Sequence, residues 1–174
     1  MNLTEKINKI KLLLLDVDGV LTDGSIILGE SDQEFKIFNI KDGLGIKLAQ
    51  AAGLEVGIIT GRTSAAVQRR AEELEIHILH QGQSDKRTAY EQIRAELGLN
   101  ADQIAFVGDD LNDLPVLRRV GLSCTVADAS EEVKKQVDYI SQLPGGKGAV
   151  REIIEWILKR QGKWEMVIQK FRAV

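Results

Sequence analysis

The 174-residue sequence contains one cysteine and two prolines, and aromatic residues make up only 5% of it. The single cysteine, Cys124, cannot form a disulfide within the chain, so a disulfide-stapled fold is excluded. The two prolines, Pro115 and Pro144, do not form a proline-rich linker, and no repeat or low-complexity segment divides the sequence. We therefore expect one domain over residues 1–174, which is long enough to bury a substantial core.

Long apolar runs and a large excess of one charge are also missing. The longest run of Ile, Leu, Val, Met and Phe covers residues 12–15, whereas a bilayer-crossing helix needs about 20 apolar residues. Charged residues within positions 1–6 stand where a signal peptide has its apolar stretch, so we expect a cytoplasmic protein. A formal net charge of −3 does not favour a general nucleic-acid-binding surface.

Short apolar runs alternate with amphipathic segments along the sequence. The runs typical of strands buried on both faces cover residues 10–15, 56–59, 76–79, 104–107 and 122–126. The segments typical of helices cover residues 44–51, 64–74, 86–97, 112–120 and 149–163. This alternation predicts an α/β fold, namely a doubly wound, Rossmann-like parallel sheet with helices on both faces.

Residues 22–40 interrupt the alternation. They hold two β-prone runs, 25–28 and 34–38, around a polar turn that contains glycine. This pattern predicts a β-hairpin flap after the first strand, at the carboxyl edge of the sheet, where such folds bind ligands. At the other end of the chain, residues 163–174 are expected to form a C-terminal tail.

Aspartates follow two of the predicted strands directly. Asp16 and Asp18 follow the first strand, and Asp109, Asp110 and Asp113 follow the fourth. Because parallel strands end at the same edge of a sheet, both groups can lie together there, and close carboxylates repel one another unless a cation joins them. Oxygen ligands favour a hard cation, and Mg²⁺ is typical where a phosphate is also bound. Turn formation and helix capping would explain one or two of these residues, but not all of them.

Two further polar residues belong to the same edge. Thr60 closes the second apolar run and offers a hydroxyl group. Lys86 opens the helix predicted over residues 86–97, where the helix dipole disfavours a cation. A solvated lysine is the commoner case, but at this place Lys86 can also reach an anionic ligand.

In this order the residues resemble the four motifs of the haloacid dehalogenase superfamily of phosphotransferases. The motifs match between residues 16 and 113, and their order is more specific than any one of them. The resemblance implies a phosphatase in which Asp16 attacks phosphorus and forms an aspartyl-phosphate. It also implies that Asp18 protonates the leaving group and then activates water, while Thr60 and Lys86 stabilise the phosphoryl oxygens.

The same resemblance implies a magnesium site. Its ligands would be Asp16, the backbone carbonyl of Asp18, and Asp109. Asp110 and Asp113 would support the metal and Lys86 from nearby. Large superfamily members carry a cap domain over the site, but the two usual insertion points have no room for one here, so we expect an open site.

Four further stretches lie largely outside these motifs: residues 39–43, residues 60–62 with Arg70, residues 80–82 and residues 145–152. They resemble the capless branch of the superfamily that hydrolyses 3-deoxy-D-manno-octulosonate 8-phosphate (KDO 8-phosphate) for lipopolysaccharide biosynthesis. The resemblance implies a homotetramer whose active sites are shaped by neighbouring subunits, with the glycine-rich segment 145–148 as a flexible piece that can reach an adjacent site. It also implies a set of substrate-binding residues: Asp18, Asn39, Ile40, Lys41, Asp42, Gly43, Lys47, Gly61, Arg62, Arg70, Lys86 and Arg151.

Three alternatives remain open at this point. A phosphatase for a related acid sugar, such as a nonulosonate 9-phosphate, would use the same fold and catalytic residues. A phospho-receiver domain also combines Mg²⁺, aspartates, a Thr and a Lys, but its phosphorylated Asp would follow the strand that ends here at Leu79, where the sequence reads His80-Gln81-Gly82. A catalytically silent oligomerisation module has no chemical need for all the motif residues.

Overall fold

The computed structural model of the protein describes residues 2–31 and 33–172, except for the side chains of 171 and 172. The strands are β1 (Leu12–Leu15), β2 (Ile27–Leu28), β3 (Glu34–Phe35), β4 (Glu55–Ile59), β5 (Ile78–His80), β6 (Ile104–Val107), β7 (Leu122–Thr125) and β8 (Tyr139–Ile140). The α-helices are α1 (Leu3–Lys9), α2 (Ile40–Ala51), α3 (Ala65–Glu73), α4 (Lys86–Glu96), α5 (Leu114–Leu117), α6 (Glu131–Lys134), α7 (Ala149–Arg160) and α8 (Trp164–Arg172).

A parallel sheet with the strand order β5-β4-β1-β6-β7-β8 forms the centre of the molecule. Strand β1 pairs with β4 and β6 and is buried on both faces. Leu13 and Leu15 pack into a core with residues of α2 and α7, whereas Leu12 and Leu14 pack on the opposite face with residues of α4. Helices therefore cover both faces, which confirms the predicted doubly wound fold.

The predicted hairpin is confirmed and is shorter than expected. Strands β2 and β3 pair in antiparallel fashion, with Ile27 opposite Phe35. The side chains of Ile27 and Phe35 are 41% and 53% exposed, so the described part of the chain covers this face of the hairpin only in part. Apart from the hairpin, no insertion large enough to be a cap domain lies in the described residues.

Several other segments differ from the expectations. The helix expected over 112–120 is a 3₁₀ turn, Leu111–Asp113, followed by the four-residue α5, because Asp113 turns back to cap the preceding loop. Residues expected as a tail form α8, whose Val167 is buried in the core, while residues 173 and 174 lie outside the described part. The short elements α1, α6 and β8 carried no periodic signal strong enough to be predicted.

Among the described helices, none combines the length and apolarity needed to cross a membrane.

Candidate active site

A cleft of about 370 Å³ opens at the carboxyl ends of β1, β4, β6 and β7. This edge is the ligand-binding edge of a parallel sheet, because the loops that follow the strands converge there. The cleft is lined by Asp16, Asp18, Gly19, Asp23, Gly24, Thr60, Gly61, Arg62, Lys86, Asp109, Asp110, Asn112 and Asp128. Every residue expected to be catalytic or to bind the metal through its own carboxylate thus lies in one place.

Lys86 lies between two buried carboxylates. Its Nζ is 2.7 Å from Oδ2 of Asp16 and 2.7 Å from Oδ1 of Asp113. Burial opposes the charge on Lys86, but the two carboxylates outweigh it and raise the pKa of the lysine. Burial, reinforced by repulsion from Asp113, raises the pKa of Asp16 to about 7. The cluster therefore holds more negative charge than Lys86 alone offsets.

Asp109 adds a third carboxylate to this cluster. Burial and the nearby charge of Asp16 raise its pKa to about 8. Gly19 makes room for it: the glycine has a φ of +89°, and a Cβ there would lie 2.1 Å from Oδ2 of Asp109. Any other residue at position 19 would therefore be strained and would displace the carboxylate.

These carboxylates fit a divalent cation. Oxygens of Asp16, Asp109 and Asp113 lie within 4.8 Å of one another. Burial, together with mutual repulsion, raises the pKa values of Asp16 and Asp109, so a cation between them would be stabilising. Both oxygens of Asp113 already accept protein hydrogen bonds, Oδ1 from Lys86 and Oδ2 from the backbone N–H of Asp109. Asp16 is engaged in a similar way, by the N–H of Val17 and by Lys86, but Asp16 and Asp109 line the cleft, whereas Asp113 is fully buried. Asp113 therefore supports the cluster, and Asp16 and Asp109 are the carboxylates placed to face a hard cation such as Mg²⁺.

Thr60 and Asp110 both line the cleft, in different environments. Thr60 is buried, and its backbone N–H donates to the carbonyl of His80. Asp110 is exposed, and its carboxylate accepts the N–H of Leu111, so it caps the 3₁₀ turn and lies further from Lys86 than Asp113 does.

Sequence reasoning missed Asn112 and Asp128, which also line the cleft. The position of Asp128 shortly after β7, at the same sheet edge, is the signal that points to it.

The hairpin reaches Asp18 through a chain of ion pairs that sequence reasoning also missed. Lys36 donates a hydrogen bond to Oδ1 of Asp18, and its Nζ lies 3.5 Å from Oε1 of Glu34. Glu34 also pairs with Arg62, whose Nε lies 4.0 Å from Oδ2 of Asp18. The alternation of apolar and charged residues in 34–38 was the available signal, since alternate residues of a strand point to one side.

Several of the expected substrate-binding residues lie outside this cleft. Asn39, Asp42, Gly43 and Arg70 surround a narrow gap beneath the base of the hairpin. Ile40 and Lys41 are exposed at the start of α2. Lys47 pairs with Glu75, and Arg151 pairs with Glu155. Within one chain, therefore, the members of the expected set that line the cleft are Asp18, Gly61, Arg62 and Lys86.

Asp42 has a structural partner that explains its burial. Its carboxylate accepts the backbone N–H groups of Gly148 and Arg151, at 3.3 and 2.8 Å. These N–H groups begin α7, where the helix itself offers them no acceptor, so Asp42 caps α7 from another helix. Desolvation raises the pKa of Asp42, and these hydrogen bonds oppose the rise.

Within one chain, the glycine-rich segment 145–148 is a folded loop, and its expected reach to an adjacent active site stays a prediction. The N–H of Gly146 donates to the carbonyl of Val20, and the N–H of Gly145 donates to the carboxylate of Asp128. A Cβ at Gly145 would lie 1.9 Å from the carbonyl oxygen of Gly19. Glycine is needed here because two backbones are in direct contact beside the cleft.

Comparison with known proteins places this geometry in a family. Residues 75–154 match the model of the haloacid dehalogenase-like hydrolases. The chain is 46% identical over 158 residues to 3-deoxy-D-manno-octulosonate 8-phosphate phosphatase KdsC of Escherichia coli (strain K12), covering 91% of this chain and 84% of that protein. The chain belongs to the KDO 8-phosphate phosphatase family.

Solved structures of KDO 8-phosphate phosphatases share the fold. The enzyme from Moraxella catarrhalis, in complex with magnesium, phosphate and KDO, matches with a TM-score of 0.94 and 43% identity, over 97% of each chain. The enzyme from Yersinia pestis matches with a TM-score of 0.91 and 44% identity, over 93% of this chain and 88% of that one. The resemblance inferred from the motifs is thereby confirmed, both for the superfamily and for its capless branch.

Proposed function

We propose that this protein is a Mg²⁺-dependent phosphatase that hydrolyses KDO 8-phosphate to KDO and phosphate, a step of lipopolysaccharide biosynthesis. The observation that carries the proposal is the buried cluster of Asp16, Asp109 and Asp113 around Lys86, in a chain of this family. Such a cluster suits a phosphoryl group, because the group brings several anionic oxygens that one lysine and one divalent cation can offset.

In the proposed mechanism, an oxygen of the Asp16 carboxylate attacks phosphorus, and the bond from phosphorus to the sugar oxygen breaks. Asp18, at the same cleft, gives a proton to the departing oxygen and later takes one from the water that hydrolyses the aspartyl-phosphate. Lys86 and Thr60 hold the phosphoryl oxygens. Mg²⁺, held by Asp16, Asp109 and the backbone carbonyl of Asp18, would supply positive charge against those oxygens.

Recognition of the sugar carboxylate is assigned first to Arg62. It is exposed at the cleft, and a guanidinium can bind a carboxylate through two hydrogen bonds. For Asn39, Ile40, Lys41 and Arg70, we propose that assembly brings the surface they form to a neighbouring subunit's cleft. Asp42 and Gly43 are buried and support that surface from within the chain. Lys47 and Arg151 lie outside the cleft of their own chain and, like Arg62 and Arg70, each pairs with a glutamate. Their contact with substrate stays a prediction.

Assembly into a homotetramer is proposed to occur through the hairpin. Leu28, Ile37 and Ile40 are 75%, 61% and 83% exposed, and they form an apolar surface with Ile26 and Phe35. Several large apolar side chains exposed within one short segment favour a protein–protein contact. The proposed place of the reaction is the cytoplasm, because a substrate with phosphate and carboxylate charges cannot cross a bilayer unaided and is used where it is made.

The test is phosphate release with and without Mg²⁺ from KDO 8-phosphate, a nonulosonate 9-phosphate and a hexose 6-phosphate, compared by kcat/KM. We expect a Mg²⁺-dependent preference for KDO 8-phosphate of about 100-fold, equivalent to about 2.7 kcal/mol in the transition state. Asp16→Asn serves as the control for contaminating phosphatases. Preference for the nonulosonate would reassign the substrate, and equal turnover of all three would overturn the proposed specificity.

A further inference from the structure

Lys36 is a buried charge in the hairpin segment that none of the phosphatase motifs includes. Its side chain is 1% exposed, although the segment around it lies at the surface. Within the described residues its charged partners are the carboxylates of Asp18 and Glu34. A buried ammonium group is costly unless it is paired, so the position of Lys36 is set by these two carboxylates.

The side chains from residue 34 to residue 38 alternate between two environments. Phe35 and Ile37 are more than half exposed, whereas Glu34, Lys36 and Phe38 point inward and are partly buried. On the inward side, the ammonium group of Lys36 lies against Asp18. The outward side chains form the apolar surface of the hairpin. One short segment connects the two.

The carboxylate of Asp18 accepts a hydrogen bond from Lys36. The side chain of Asp18 is 23% exposed, and among the described residues the hydrogen-bond donor to its carboxylate is Lys36, on Oδ1. The other oxygen, Oδ2, lies 4.0 Å from Nε of Arg62, beyond hydrogen-bond distance. Holding one oxygen leaves the other free to exchange a proton in the cleft.

We propose that Lys36 is a positioning residue, which orients the Asp18 carboxylate for proton transfer to the leaving group. The inference rests on the proposed phosphatase chemistry, but not on the identity of the sugar. Asp18 transfers the proton, and Lys36 acts through it. Glu34 in turn fixes Lys36, since its carboxylate is held by Arg62 on the other side.

The test uses aryl phosphates of similar size whose leaving groups differ in basicity, from 4-nitrophenyl to 4-methoxyphenyl phosphate. A basic leaving group needs a proton from Asp18, whereas nitrophenolate departs without one. In Lys36→Met we expect kcat/KM to fall by about 10- to 100-fold for the 4-methoxyphenyl ester, and by less than about threefold for the 4-nitrophenyl ester. Lys36→Arg should restore most of the loss. An equal loss for all esters would overturn the proposal.

Lys6→Met is the matched control, because Lys6 also pairs with an aspartate, Asp138, at 2.6 Å but lies far from the cleft in the fold. It should leave the dependence on the leaving group unchanged. Lys36→Gln also removes the charge and should give the same pattern as Lys36→Met. The test therefore does not depend on the folding of a single variant. Thermal melting and sedimentation of each variant report on folding and assembly separately from the kinetics.

A double substitution distinguishes positioning from direct contact with the substrate. If Lys36 acts through Asp18, adding Lys36→Met to Asp18→Asn should reduce kcat/KM no further. A further loss of tenfold or more would show that Lys36 binds the substrate itself and would overturn the proposal. Because aryl phosphates carry no sugar, a wild-type protein that rejects KDO 8-phosphate would refute the proposed substrate and leave this comparison intact.

Discussion

The two sides of the cleft differ in how deeply their residues are buried and in the elements that carry them. The sheet side, formed by Asp16, Lys86, Asp109 and Asp113, lies at the ends of buried strands and at the start of α4, and three of its four residues are almost fully buried. The hairpin side, formed by Asp18, Glu34, Lys36 and Arg62, keeps its carboxylates about one fifth exposed and depends on strands of two residues.

This difference separates two tasks. On the sheet side, the buried carboxylates carry more negative charge than Lys86 offsets. The site can therefore take a divalent cation and, with it, a phosphoryl group. On the hairpin side, contact with water and several ion pairs suits a group that exchanges protons. The same catalytic loop joins the two, since Asp16 and Asp18 are two residues apart.

The largest expected effect is on the sheet side, in Asp16→Asn. An amide cannot serve as the nucleophile, so kcat should fall by at least about 10⁴-fold for every substrate. Initial rates with 4-nitrophenyl phosphate, alongside mass spectrometry of acid-quenched protein for the aspartyl-phosphate, would measure this. Asp18→Asn is the comparison from the hairpin side and should still form the phosphorylated protein with that ester. A variant of Asp16 that keeps a tenth of the activity would disprove its role.

The next effect contrasts the two buried lysines. Lys86→Met should lower kcat/KM by about 10²- to 10³-fold for all aryl phosphates alike, because Lys86 faces the phosphoryl oxygens rather than the leaving group. Lys36→Met, in contrast, should spare the nitrophenyl ester. The measurement is the slope of kcat/KM against the basicity of the leaving group, for both variants under the same conditions. If Lys86→Met and Lys36→Met steepen this slope equally, the two lysines do not differ in role.

A smaller effect is expected where the glycine-rich loop supports the segment leading to the hairpin. In Gly146→Ala the added Cβ would lie 2.6 Å from the backbone of Thr22 and Asp23, so activity should fall by about tenfold through displacement of this segment. Gly53→Ala is the matched control, because its φ is also positive but nothing lies within 4 Å. It should cost only about 1 kcal/mol of stability and no activity. Equal activity losses in both variants would point to backbone strain alone.

The smallest effect is a pH dependence of stability confined to the sheet side. The pKa values of Asp16 and Asp109, about 7 and about 8, exceed the ordinary value of 3.8, so the metal-free folded chain binds protons more tightly than the unfolded chain. This stabilisation is complete below about pH 4 and is lost as the pH rises to about 8. Without metal, Tm should therefore fall by ~5 °C or more between about pH 5 and pH 8.5.

Mg²⁺ should replace those protons and raise Tm more at about pH 8.5 than at pH 5. Thermal melts in EDTA and in Mg²⁺ at both pH values would measure this. In Asp109→Asn the pH dependence should weaken. A metal-free Tm that rises with pH would contradict the charge balance proposed for the cluster.

The sequence determined which strands would form the centre of the sheet and which edge would carry the chemistry. Strand β1 consists of four consecutive leucines, and such a run predicts a strand buried on both faces. Because all parallel strands end at one edge, Asp16 and Asp109 could be placed together although they lie 93 positions apart in the sequence. The order of the motifs then indicated a phosphatase of the haloacid dehalogenase superfamily.

Only the tertiary structure decided which loops meet, because a pattern such as the alternation in 34–38 gives the side on which Lys36 lies but not its partner. The pairing of Lys36 with Asp18, the capping of α7 by Asp42 and the contact of Gly145 with Gly19 each join segments by the way loops fold back. The raised pKa values of Asp16 and Asp109 follow from burial in the assembled fold. Strand direction is a repeating property that a sequence pattern can express, whereas the approach of one loop to another depends on every element packed between them.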